Sequence, residues 1–124
     1  PLSNPLRGEI RPNGAADAAE FGSVKDSTEA MGLLQMDTYL NIKQGVNYPA
    51  VLATTGINDT RVPVWQPGKL IAALQNASPS GRPALLSVDY NSGHISTDWM
   101  RDAANQFAFA LWQAGHRDFQ PKQH

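Results

Sequence analysis

Ala50 to Thr55 is an apolar and β-branched run, Ala-Val-Leu-Ala-Thr-Thr, with no alternation. Such a run predicts a short strand covered on both faces, as in a parallel sheet. Gly56 breaks it, and Asn58, Asp59 and Arg61 follow at once in a polar turn. A second apolar run, Ala84 to Val88, predicts a second strand. Between the two, Pro67 suits the first turn of a helix, and Leu70, Ile71 and Leu74 give that helix, about residues 67–76, a buried side. Residues 77–83 are rich in Ser, Pro and Gly and read as a loop. Strand, helix and strand make a βαβ unit with an expected right-handed crossover.

Two further helices flank this unit. One spans Asp26 to Met36, with Asp26 as N-cap and Glu29 three residues later, as in a capping box. Its stripe is Ala30, Met31 and Leu34 with Leu33 beside it, and Gly32 costs it about 1 kcal/mol against Ala. The other runs from about Thr97 to Gln113. Thr97 is the expected cap, and Asp98 and Asp102 suit its positive end. Trp99, Ala103, Phe107 and Leu111 repeat at four, and Trp99, Phe107, Phe109 and Trp112 read as helix core. Gly115 stands where a C′ residue belongs. Residues 1–24 carry Pro1, Pro5, Gly8, Pro12, Gly14 and Gly22 without any period, which predicts an irregular arm lying on a neighbour. His116 to His124 is a polar tail, expected to fray. The pattern predicts an α/β fold: a small, mainly parallel sheet with flanking helices. The arm occupies 1–24, helix-strand-helix-strand-helix fills 25–115, and the tail is 116–124.

Composition narrows the function. The chain has 124 residues, a length for one domain, and its hydrophobic fraction of 41% supplies a core. Ten basic residues nearly balance eleven acidic ones and form no run, so the footprint of a nucleic-acid binder is missing. No apolar run approaches the roughly 18 residues of a membrane span. The absence of cysteine excludes disulfides and thiolate metal sites and leaves the compartment open. No metal or cofactor is expected. The opening Pro-Leu-Ser-Asn-Pro shows neither a signal peptide nor an initiator Met, which fits a processed product or a piece of something larger.

Asp59 and His94 lie a few residues past the ends of the two predicted strands. In a parallel sheet those ends share one edge, where ligands and catalytic groups gather. An acid and an imidazole 35 positions apart are thereby brought close, as in the orienting half of a Ser-His-Asp triad. The plainer readings are a turn aspartate, a loop histidine and, for Arg61, a solvated charge. Trp65 reads as lining a site or, more simply, as cover for the following helix, and His116 and His124 as surface. Asn58-Asp59-Thr60 and Asn76-Ala77-Ser78 match the glycosylation sequon, a pattern common by chance.

Three segments carry a resemblance: Glu20-Phe21-Gly22-Ser23, Tyr48 to Val62, and Val88-Asp-Tyr-Asn-Ser-Gly-His94. From about Leu6 to Trp112 the chain resembles the C-terminal part of the catalytic domain of prolyl oligopeptidase-family serine peptidases. The resemblance implies a partial α/β-hydrolase fold, its C-terminal third. It also implies Asp59 as triad acid, His94 as general base, and Arg61 as a residue that helps hold the substrate's backbone carbonyl. Two departures stand out. Ile95 replaces a common Gly, and no serine here lies in a Gly-x-Ser-x-Gly elbow. Ser92 and Ser96 flank His94 without that context.

A general base without a nucleophile performs little acyl transfer. The chain alone is therefore expected to be inactive, a fragment of a hydrolase that cleaves peptide or ester bonds through an acyl-enzyme. A two- or three-stranded sheet is also marginal on its own, with open edges and uncovered apolar faces. The expected partner is the missing N-terminal part of the hydrolase, or a second copy joined edge to edge or by exchange of an element. The alternative is a non-catalytic α/β module that binds a small ligand or self-associates.

Overall fold

Strand β1 (Val51–Gly56) runs parallel to β2 (Ala84–Asp89), in register from Val51 opposite Ala84 to Gly56 opposite Asp89. Helix α3 (Trp65–Ala77) connects them. This computed structural model describes residues 3–122. Three more helices complete it: α1 (Gly14–Phe21), α2 (Ser27–Met36) and α4 (Trp99–Gln113). Short 3₁₀ turns form at Pro5–Arg7 and Arg117–Phe119.

The core is the contact between α3 and one face of the sheet. Leu70, Ile71 and Leu74 bury against Ala53, with Val51, Ala84 and Leu86 packed around them. Positions 51 and 53 on one strand and 84 and 86 on the other share a face because strand side chains alternate. The opposite face is different. Thr54 is exposed and Leu85 is 40% exposed, so the expected burial of both strand faces does not hold among the described residues. An apolar, non-alternating run records the capacity for two covered faces; here α3 covers one.

The N-terminal arm also departs from expectation. Residues 14–21 form α1, although Gly14 opens it and no apolar period announces it. Further upstream, the segment is stapled to α3 by polar contacts. The Gln66 side-chain oxygen accepts from the backbone N–H groups of Ser3 and Asn4, and the Ser3 hydroxyl donates to the Gln66 carbonyl. Asn4 also donates to the buried Asp37 carboxylate, and Lys69 donates to the Asn4 side-chain oxygen. An aperiodic sequence can be ordered this way, through specific hydrogen bonds to buried polar groups.

At α2, Asp26 caps as expected, accepting from the Thr28 and Glu29 N–H groups. The Glu29 carboxylate reaches the Ser23 N–H at 2.8 Å, which gives the return half of the capping box to Ser23. Leu33 is the buried residue of this helix and Ala30 is half-buried, while Met31 is 56% exposed and Leu34 is exposed, so the inward side runs through Ala30 and Leu33 and not through Met31 and Leu34. At α4 the cap is Asp98, whose carboxylate accepts from the Arg101 N–H; Thr97 bonds to Ser92 instead. The far end closes as a Schellman turn. Gly115 has φ 81°, its N–H bonds the Trp112 carbonyl, and the His116 N–H bonds the Leu111 carbonyl. The tail then folds back, with Gln120 donating to the Trp112 and His116 carbonyls. His124 lies outside the described residues.

No residue of α4 is buried. Trp99 and Phe107 are each 69% exposed and Met100 is 66% exposed, which corrects the expectation that this apolar face is core. Phe109 and Trp112 pack edge to face on each other. The period-four pattern is present in the helix, but only Ala103 and Leu111 of it are half-buried, and among the described residues Trp99 and Phe107 stay largely uncovered.

Candidate active site

Both strands end at the same edge, and each releases a polar loop there. The ladder continues one step beyond them, with the Ile57 N–H bonded to the Asp89 carbonyl. The Asn58 N–H then bonds the Ser92 carbonyl at 3.1 Å, joining the acid turn to the histidine loop. Gly56 is required at this crossing. A Cβ there would overlap the carbonyl oxygen of Gly93 and come within 2.5 Å of that of Ser92. The backbones meet where a side chain cannot fit.

The Asp59 carboxylate faces the His94 ring. Its Oδ2 is 3.1 Å from Nδ1 and its Oδ1 is 3.3 Å away. Oδ1 also accepts from the backbone N–H groups of Arg61 and Val62, each at 2.9 Å, in an Asx turn that fixes the carboxylate plane. The Asp59 side chain is 9% exposed. Burial pushes its carboxyl upward, but the Val62 N–H, His94 and the Arg61 N–H together outweigh burial and hold it below its ordinary value. Asp59 is thus an anion at neutral pH. An anionic carboxylate only accepts, so the nitrogen facing it, Nδ1, carries the proton. In the neutral ring the lone pair then lies on the other nitrogen, Nε2. The ring is 45% exposed, and among the described residues no hydrogen bond engages Nε2.

A second carboxylate shapes the histidine loop. Asp89, at the end of β2, accepts from the Ser92 hydroxyl and the Asn91 N–H and pairs with Arg101 at 3.2 Å. The Ser92 hydroxyl first, then the Asn91 N–H, hold the Asp89 carboxyl low; burial opposes them, and Arg101 adds to them. Ser92 also accepts from the Thr97 N–H at 3.1 Å. Ser92 is therefore a buried brace of the loop, with its hydroxyl committed. Ser96 lines the open cavity of about 320 Å³ beside His94, whose floor is the hydroxyl-bearing sheet face with Thr54 and Ser87.

Of the three residues singled out in the sequence, Asp59 and His94 are brought into contact. Arg61 contributes its backbone N–H to the acid, and its side chain is exposed and does not line the cavity. Arg11 escaped sequence reading altogether. Its side chain is 4% exposed, its Nη1 donates to the Arg61 carbonyl at 2.6 Å, and its Nη2 pairs with Asp17. Nothing in the local sequence of an isolated arginine announces a carbonyl partner 50 positions away.

Comparison with known proteins places the fold. Residues 12–117 match the model of the prolyl oligopeptidase family. The chain belongs to that family. It is similar to prolyl oligopeptidase ophP from Omphalotus olearius, with 30% identity over 103 residues, and to protease 2 from Moraxella lacunata, with 26% over 100 residues. Each alignment covers 77% of this chain and 14% of the relative, so the chain spans about a seventh of the length of those family members. Among solved structures, a substrate-bound variant of prolyl oligopeptidase B from Galerina marginata superposes with a TM-score of 0.80 at 27% identity, over 92% of this chain and 17% of that one. Oligopeptidase B from Leishmania major, at 22% identity, shares the fold with a TM-score of 0.85, over 93% of this chain and 17% of that one. The four helices and two parallel strands are thus part of a larger family fold, a partial α/β-hydrolase. Among the described residues no cluster of three or more His, Asp or Glu is placed to hold a metal, and no helix is long and apolar enough to cross a membrane.

Proposed function

We propose that this chain supplies the acid and the general base of a prolyl oligopeptidase-family serine hydrolase. In this reading Asp59 orients His94 through Nδ1. His94 Nε2 takes the proton of a serine hydroxyl as that oxygen attacks a peptide or ester carbonyl, and returns it to the leaving group as the tetrahedral intermediate collapses. The resulting acyl-enzyme is then hydrolysed by water activated at the same nitrogen. The serine comes from a segment outside this sequence, and the chain alone is inactive. The observation that carries the reading is the 3.1 Å contact between Asp59 Oδ2 and His94 Nδ1 at the shared edge of two parallel strands. Arg61, exposed and two residues past the acid, is proposed to reach the substrate's backbone carbonyl.

The same reading supplies an occupant for the uncovered faces. The chain spans 14% of its curated relatives, and we assign the free edge of β1 and the apolar side of α4, with Trp99, Met100 and Phe107, to the rest of the catalytic domain. A fluorophosphonate probe tests both ideas. The isolated chain should not label, and labelling of the serine should appear when the upstream part of the family domain is added. Labelling of the isolated chain would contradict the expected inactivity. No labelling after addition, with a stable self-associated chain, would favour the non-catalytic module.

A further inference from the structure

The acid turn is gripped from behind. The carbonyl of Arg61 and the N–H of Val62 belong to one planar peptide unit, and its two ends are held by opposite charges. Arg11 Nη1 donates to the carbonyl at 2.6 Å, and the N–H donates to Asp59 Oδ1 at 2.9 Å. Because the unit is planar and its C–N bond does not rotate freely, fixing the carbonyl fixes the direction of the N–H. A cation on the carbonyl also polarises the unit and strengthens the bond its N–H donates, as in any chain of hydrogen bonds in a low dielectric.

From this we infer that Arg11 is a positioning residue for the catalytic acid. It sets the orientation of the Arg61–Val62 peptide and, through it, the carboxylate that faces His94. The inference rests on the proposed acid–base pair for its catalytic meaning, and its structural content stands apart from that reading. Two features make Arg11 suited to the task. Its guanidinium is planar and forked, so it can grip the Arg61 carbonyl while Asp17 holds its other terminal nitrogen. Asp17 lies on α1, so the grip is anchored to a helix of the N-terminal arm and not to a free side chain. The buried cation is compensated by that carboxylate, which allows it to stand near the site without adding an unpaired charge. Thus the arm, featureless in the sequence, reaches the acid in two hydrogen bonds.

Carboxyl and imidazole NMR on the full 124-residue chain tests this. In the wild type, the Asp59 carboxyl should titrate below the ordinary aspartate range, and His94 should show a dominant Nδ1–H tautomer. In Arg11→Gln, the Asp59 midpoint should rise, the Val62 amide proton should move upfield as its hydrogen bond weakens, and the single-tautomer signature of His94 should be lost. Arg11→Lys keeps the charge but not the fork, and should restore these signals in part. Should Arg11→Gln fail to fold, Asp17→Asn, which releases the anchor and leaves Arg11 in place, should shift the same signals in the same direction. An Asp59 midpoint and Val62 amide unchanged in a folded variant of either kind overturn the inference. A wild-type His94 without the Nδ1–H tautomer overturns the acid–base reading instead, and leaves the Asp59 and Val62 signals to decide the role of Arg11.

Discussion

The backbone N–H of Asn58 donates to the carbonyl of Ser92 at 3.1 Å, one residue before the acid and two before the histidine. The distance between Asp59 and His94 is therefore set by main chain, through a bond that neither side chain makes. The pair is the consequence of two strands ending in register and of a glycine that lets their loops touch.

That glycine gives a direct test. In Gly56→Ala the new methyl would overlap the Gly93 carbonyl oxygen, so the loops must part. We expect a loss of about 1–3 kcal/mol in urea unfolding, from overpacking against backbone. Gly32→Ala is the control. A Cβ there meets nothing within 4 Å and φ is helical, so stability should rise by up to about 1 kcal/mol.

The core has its own test. Ile71 is 4% exposed and packs in the α3–sheet cluster. Ile71→Ala should cost about 2–5 kcal/mol, measured by denaturant midpoint at constant slope. In a sheet this small, that loss should unfold a large fraction of the chain.

How much of this was legible in the sequence differs by kind of interaction. The βαβ unit was readable because its signals are local: an apolar run, a glycine, a proline in a first turn, a stripe on α3. The nearness of Asp59 and His94 followed from topology alone, since parallel strands joined by one crossover must end on one edge. The arm was not readable, because Ser3, Asn4 and Arg11 act through hydrogen bonds to Gln66, Asp37 and Arg61, and periodicity carries no trace of such partners. The period of α4 was read correctly and its burial was not. A stripe states what a helix could bury, and here Trp99 and Phe107 have no cover among the described residues.

Acid should weaken the fold through Asp59. Its folded carboxyl sits below the ordinary 3.8, so the contribution is full above that value and is lost as pH falls through the lower, folded one. Glu9 and Asp89 are shifted in the same direction, so the acid sensitivity is shared. Urea midpoints measured between about pH 5 and pH 2 should fall less steeply in Asp59→Asn than in the wild type, and a parallel fall would contradict the shift.

Under the proposed function, once the upstream part of the family domain is added, Asp59→Asn should slow fluorophosphonate labelling by about 10⁴-fold, because an amide can hold the imidazole in the wrong tautomer. Binding of a reversible substrate-like inhibitor should change far less, since the acid is not expected to touch substrate.

The apolar side of α4 predicts an asymmetry between stability and association. Trp99→Ser and Phe107→Ser remove exposed rings, so the unfolding free energy of the isolated chain should move by no more than about 0.5 kcal/mol. Light scattering should show less self-association, and recovery of labelling with the upstream segment should be impaired.

The stapling of Ser3 and Asn4 to Gln66 closes loops of 63 and 62 positions. Closures of that length come at a high entropic toll and tend to form after nearby contacts are in place. During synthesis Ser3 and Asn4 leave the ribosome before α3 and must wait for it before they find their seat. The acid turn, held by Arg11 from 50 positions upstream, acquires its final geometry only when this earlier-made segment docks onto a later-made one.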